Sequence, residues 1–172
     1  MFYGNFIEGA LPALPPGARV NEYRTLTGST MFRVECETSF DAGLRGVVQH
    51  LHYTTLEERT DLTARSRTEL APGATAVLIP IRKSPEWWAL AHDQRGAHFH
   101  QHHTPIGAPY VERIFRKLYH SRYLGSPYDF LTYFEFPPED ADYFRQLLAD
   151  LRATEEWKYV EHQHEVWMTK LA

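Results

Sequence analysis

Two neighbouring runs restrict the fold of this chain more than anything else in it. Arg113 to Arg122 alternates Ile114, Arg116, Leu118 and His120 against Phe115, Lys117 and Tyr119. Asp129 to Phe136 alternates Phe130, Thr132 and Phe134 against Leu131 and Tyr133. A period of two over this length predicts two strands. Upstream, Ala74 to Arg82 is a buried-type strand. Ser84 as N-cap and Pro85 as first helical residue then predict a helix, bending near His92 and ending by His103 because Pro105, Gly107 and Pro109 cannot continue it. Downstream, Pro138 opens an amphipathic helix with Ala141, Phe144, Leu147, Leu148 and Leu151 at helical spacing. A last strand is predicted from Tyr159 to Thr169. The second half therefore reads β-α-β-β-α-β, a ferredoxin-like antiparallel sheet with helices on one face.

The first half gives weaker signals. Pro12, Pro15 and Pro16 break any early element, so the first forty residues read as irregular. Met31 to Cys36 alternates as a strand does. So does Gly46 to Tyr53, with Val47, Gln49, Leu51 and Tyr53 opposite Val48, His50 and His52. Thr54 to Gly73 is highly charged and reads as a solvated excursion. The expectation is one unit over residues 1–172. A reduced half, 1–73, would be a degenerate copy of the complete ferredoxin-like half, 74–172.

Composition removes several classes of function. With 43% hydrophobic and 14% aromatic residues, the chain can bury a sizeable interior. Its formal charge is −4 and its Lys and Arg are scattered, which argues against a nucleic-acid surface. The single cysteine, Cys36, excludes an internal disulfide and a thiolate metal site. No run of eighteen apolar residues marks a membrane span. No basic residue precedes Arg19, so a signal peptide is not expected and the expected compartment is the cytoplasm. Ten histidines point towards metal or redox work.

If the two alternating runs are neighbours, Arg116 rises from an apolar floor that includes Leu118, Phe130, Thr132 and Phe134. A guanidinium so placed is costly unless it meets an anion. The alternative is an ion pair with Glu112 or Glu135. His98 and His102, four apart, suggest zinc, although no third ligand is indicated. A histidine at the helix end suits haem iron if a flat apolar slot with aromatic walls receives the group, and an acceptor such as Glu155 or Glu156 takes the other ring proton. There is no glycine-rich phosphate loop and no nucleophile elbow.

Several motifs in order carry a resemblance: Ile79-Pro80-Ile81-Arg82-Lys83-Ser84, Glu86-Trp87-Trp88, Lys117-Leu118-Tyr119-His120, Asp129 through Glu135, and Thr154 through Glu161. Over roughly residues 76 to 166 the chain resembles the chlorite dismutases, and the last run looks like their short-chain branch. The resemblance implies haem b, a dimeric α+β barrel built on ferredoxin-like units, a single haem-binding domain, and conversion of chlorite to chloride and dioxygen. It implies His103 as proximal iron ligand, with His102 as competitor, because a spacing of thirteen places the distal arginine on Arg116. Glu156 matches the carboxylate that takes the imidazole proton. Trp87, Trp88, Leu118, Thr132 and Phe134 match pocket-lining residues. A homodimer is implied, with chlorite as small oxyanion substrate and no nucleic-acid or membrane partner.

The same resemblance implies that Arg116 holds a hypochlorite intermediate in a dry pocket until the oxygen–oxygen bond forms. The related coproheme decarboxylases are longer and usually carry glutamine where Arg116 stands. A protein of that kind without chlorite turnover, or a haem-binding or haem-sensing module, is the alternative. A peroxidase would be expected to use a distal acid–base group, and none is found at the matched positions.

Overall fold

The computed structural model describes residues 1–49 and 56–172, and at Gln49, His102 and His103 it describes the backbone alone. The second half forms β5 (Thr75–Lys83), α2 (Pro85–Ala89), α3 (His92–His98), α4 (Thr104–Gly107), β6 (Phe115–His120), β7 (Phe130–Phe136), α5 (Ala141–Arg152), β8 (Val160–Gln163) and β9 (Val166–Lys170). The first half forms β1 (Tyr3–Glu8), β2 (Arg19–Thr25), β3 (Thr30–Cys36), β4 (Leu44–Gln49) and α1 (Leu56–Arg65). All strand pairs among the described residues are antiparallel.

Strand order explains how the two halves meet. The second half runs β9-β5-β7-β6 and the first runs β4-β1-β3-β2. Numbered within each half, both read fourth, first, third, second, the order of a split β-α-β unit. The pairings β4–β6 and β2–β9 then join the two sheets into a closed eight-stranded barrel, with β8 added outside on β5. The first half keeps the strand order but has no helix between β1 and β2 or between β3 and β4. It is the degenerate copy that the sequence suggested.

Closure gives each strand an inside and an outside. Inside lie Phe6, Tyr23, Met31, Ala76, Leu78, Tyr119, Leu131, Tyr133 and Met168. At one end of this interior Arg33 bonds Glu35, Tyr23 and Tyr119, while Tyr133 and Lys170 bond Glu135. Outside, α5 lays Phe144, Leu147, Leu148 and Leu151 over Val77, Ile79, Phe134 and Phe136.

Four sequence expectations need correction. The first forty residues hold β1 and β2, since the three prolines all fall in the connection between them. The charged stretch after Thr54 contains α1, anchored by the buried Leu62 and an Asp61–Arg65 pair; residues 50–55, with the predicted Leu51, Tyr53, His50 and His52 faces, lie outside the described residues. The helix does not end by His103. A wide π turn at Phe99–His103, with the Thr104 N–H bonding back to the Phe99 carbonyl, leads into α4 with Pro105 inside it. The last strand is two strands. β5 loses β9 after Leu78 and gains β8 at Ile81, and Pro80, which has no N–H, sits in that gap.

Candidate functional site

The site occupies the part of the outer face that α5 leaves uncovered. Parity on β6 puts Arg116, Leu118 and His120 outward, and their partners on β7 are Phe134, Thr132 and Phe130. Phe134 and Thr132 are buried under neighbours, whereas Leu118, Phe130 and Ile81 are only half-buried. The result is a largely apolar face that carries Arg116.

Arg116 is exposed by area, yet desolvation lowers the pKa of its guanidinium, with the negative charge of Glu156 opposing. Both hold for a side chain on the floor of a concavity, reached by water but ringed by protein. That concavity is a pocket, open to solvent, between the sheet, α4 and α5. Leu62, Tyr110, Ile114, Phe134, Leu147 and Leu151 line it, and Arg116 is its one charged group among the described residues. The two carboxylates that might have neutralised Arg116 are engaged elsewhere. Glu112 pairs with Arg65, and Glu135 points into the barrel to Lys170. A cation in such a concavity, with neither carboxylate paired to it among the described residues, is suited to an incoming anion.

A second cluster lies at the far end of β5. Glu156, in a 3₁₀ turn at Glu155–Tyr159, is buried, and its Oε1 accepts from Lys83 Nζ at 2.8 Å. A bulge between Arg82 and Lys83 sets the amine there. Desolvation lowers the Lys83 pKa, and the Glu156 carboxylate opposes that shift. Trp87 is buried beneath the amine, its ring centre 4.1 Å from Nζ, and it also touches His98, Phe99 and Tyr159. The π turn that carries His103 packs against the turn that carries Glu156. The His103 and His102 side chains lie outside the described residues, so neither histidine is distinguished and the zinc reading on His98 and His102 is not tested. Among the described residues, no three His, Cys, Asp or Glu side chains converge on a bare metal site.

Trp88 sits apart from Trp87, stacked on Phe130 with centroids 6.1 Å apart. Its Nε1 donates to Asp129 Oδ2 at 3.4 Å, and Asp129 also accepts from Lys83 N at 2.7 Å and Arg122 at 3.1 Å. Thus Arg116, Leu118, Thr132 and Phe134 share one face, Trp88 borders it through Phe130, and Trp87 lies behind with the Lys83–Glu156 pair. Sequence reasoning quoted Lys83 and Asp129 in motifs but gave them no role. Parity offered a signal for Lys83, an amine two residues beyond Ile81 at the end of an apolar strand.

With this geometry established, likeness to known proteins is informative. The family model for chlorite dismutase matches residues 19–171. The chain belongs to the chlorite dismutase family. A chlorite dismutase of Ideonella dechloratans is 34% identical over 119 residues, which cover 67% of this chain but 40% of that protein. The dimeric chlorite dismutase of Nitrobacter winogradskyi superposes with a TM-score of 0.79 at 31% identity, covering 99% of both chains. A chlorite dismutase from Candidatus Nitrospira defluvii, solved with imidazole, gives a TM-score of 0.81 at 25% identity over 99% of this chain and 91% of that one. The two solved structures share the overall fold described above. Among the described residues, no helix is long and apolar enough to cross a membrane.

Proposed function

We propose that this chain is a haem b enzyme that converts chlorite to chloride and dioxygen, with His103 as proximal ligand and Arg116 as the cation that receives the oxyanion. The observation that carries the reading is Arg116 itself, the one charged group among the described residues lining an apolar concavity, with Glu112 and Glu135 engaged elsewhere. Family membership supports it.

The residues present fit a haem. The uncovered face with Ile81, Leu118 and Phe130 is flat and apolar, as a porphyrin plane requires. On the other side, the turn bearing His103 packs against the turn bearing Glu156. In this reading the Glu156 carboxylate accepts the His103 ring proton, and Lys83 keeps that carboxylate charged in its dry surroundings. Haem, when bound, would supply redox-active iron for chlorite chemistry on the face beside Arg116. Arg116 draws the anion in, excludes no charge it cannot neutralise, and retains the hypochlorite fragment, so that both chlorite oxygens leave together as dioxygen. Leu118, Thr132 and Phe134 keep water from the fragment. Trp88 borders the face on which haem would lie, and Trp87 packs beneath the Lys83 amine. The likeness to a dimeric relative over the full length supports a homodimer.

Two measurements test the reading together: the visible spectrum after haem addition, and dioxygen release from chlorite at an electrode. A Soret band with dioxygen release is expected. A Soret band without release would leave a haem-binding module or a decarboxylase of the coproheme type. No Soret band would overturn the reading altogether.

A further inference from the structure

Arg95 is a cation with no anionic partner among the described residues. Its Nε is buried and hydrogen-bonded to nothing, and no ion pair reaches it among the described residues. The residue lies on α3, half-buried, with its guanidinium carbon 5.4 Å from the centre of the Trp88 ring. Arg122 approaches the same ring at 3.8 Å. Two guanidinium groups therefore meet one indole, and their situations differ. Arg122 is neutralised by Asp129. Asp129 is already occupied by Arg122, Trp88 and the Lys83 amide, so it has little left to offer a second arginine. Leaving a buried guanidinium N–H unmet costs more than a surface cation does. Among the described residues that Nε has no acceptor, and the half-exposed guanidinium is open to one brought from outside.

The position says what kind of acceptor. Trp88 is stacked on Phe130, at the border of the apolar face, on the opposite side of that face from the pocket containing Arg116. A ligand that lay flat on this face and carried acidic groups at its edge would bring them to the rim where Arg95 waits. Guanidinium pairs with carboxylate in planar, two-pronged fashion. We propose that Arg95 is the receptor for a carboxylate at the edge of the bound porphyrin. This rests on the haem reading above.

The test separates the two. The parent, Arg95→Gln and Arg95→Lys are titrated with ferric haem and with its dimethyl ester, which keeps the ring and iron but has no carboxylates. Binding is followed by the Soret band and by quenching of tryptophan fluorescence. The parent should prefer haem over the ester. Arg95→Gln should weaken haem about tenfold or more, the loss expected for a charge-assisted hydrogen bond, and change the ester less than twofold. Arg95→Lys should regain part of the loss. Haem and ester weakened alike by both variants, or haem binding unchanged, would overturn the assignment while leaving the haem reading intact. Failure of the parent to bind either ligand would overturn both.

Discussion

Lys83 and Glu156 form a buried ion pair, 2.8 Å between Nζ and Oε1, joining the end of β5 to the turn before β8. The two residues are 73 apart in sequence and their side chains are almost wholly covered. Such a pair is strong only while both members are present, because each one alone is a desolvated charge.

Breaking this pair from one side should therefore be worse than removing it. Lys83→Met is expected to lower stability by about 3–5 kcal/mol, and the double variant Lys83→Met/Glu156→Met by less. Urea unfolding of the parent and the two variants decides this. If haem is bound, Glu156→Ala should also raise the reduction potential of the iron, since the imidazole loses its acceptor. A double variant less stable than the single one, or an unchanged potential, would count against the pairing argued here.

Choice of histidine is open to a direct comparison. His103→Ala should abolish stable haem binding, whereas His102→Ala should leave it nearly intact. The motive is the spacing of thirteen residues between His103 and Arg116 together with the packing of the His103 turn on the Glu156 turn. Soret titration of both variants is the measurement, and the reverse pattern would name His102.

Acid should weaken the barrel interior through Glu35. Burial pushes this carboxyl up, but Arg33, Lys117 and Tyr119 outweigh burial and hold it at about 2, against an ordinary 4.5. Because the folded value is the lower one, the stabilisation is complete above pH 4.5 and is lost as pH falls from about 4.5 to about 2. The loss should be on the order of 2–3 kcal/mol. Glu35→Gln should flatten that limb of the stability profile while lowering stability at neutral pH. Parallel acid limbs in parent and variant would show that Glu35 is not the group responsible.

Arg116 tests the chemistry rather than the fold. Donors essential to an oxyanion barrier are typically worth about 2.7–4 kcal/mol. Here the expected role is retention, so Arg116→Ala should keep measurable initial dioxygen release and lose activity faster during the assay. A chlorine-trapping reagent should protect the variant more than the parent. Slower turnover with no faster inactivation and no trappable hypochlorite would reduce Arg116 to a substrate anchor.

The alternation on β6 and β7 was legible because each strand has one face on the barrel interior and one on the helix side, so side-chain parity is written directly into the residue order. It placed Arg116, Leu118, Thr132 and Phe134 together correctly. α5 was legible for the same reason at a period of 3.6. The early strands β1 and β2 were not. Their register depends on β3, which pairs with both, and the Asn5 side-chain NH2 donates to the distant Phe40 and Ala42 carbonyls. The helix past His103 was also misread, because a π turn changes the register in which Pro105 is tolerated.

By itself, then, the order of residues determined which faces are apolar, where the ferredoxin-like half lies and which cation belongs to its outer face. These are local matters of period and spacing. Only the tertiary structure decided which charges meet. Glu112 and Glu135 looked available to Arg116 in sequence, yet Arg65 takes one and the barrel interior takes the other. Lys83 and Glu156 looked unrelated, yet they share a dry contact. Closure of the barrel sorts the charged side chains to opposite faces of a strand, and in a medium of low dielectric the resulting pairs decide which charged groups are spent on one another.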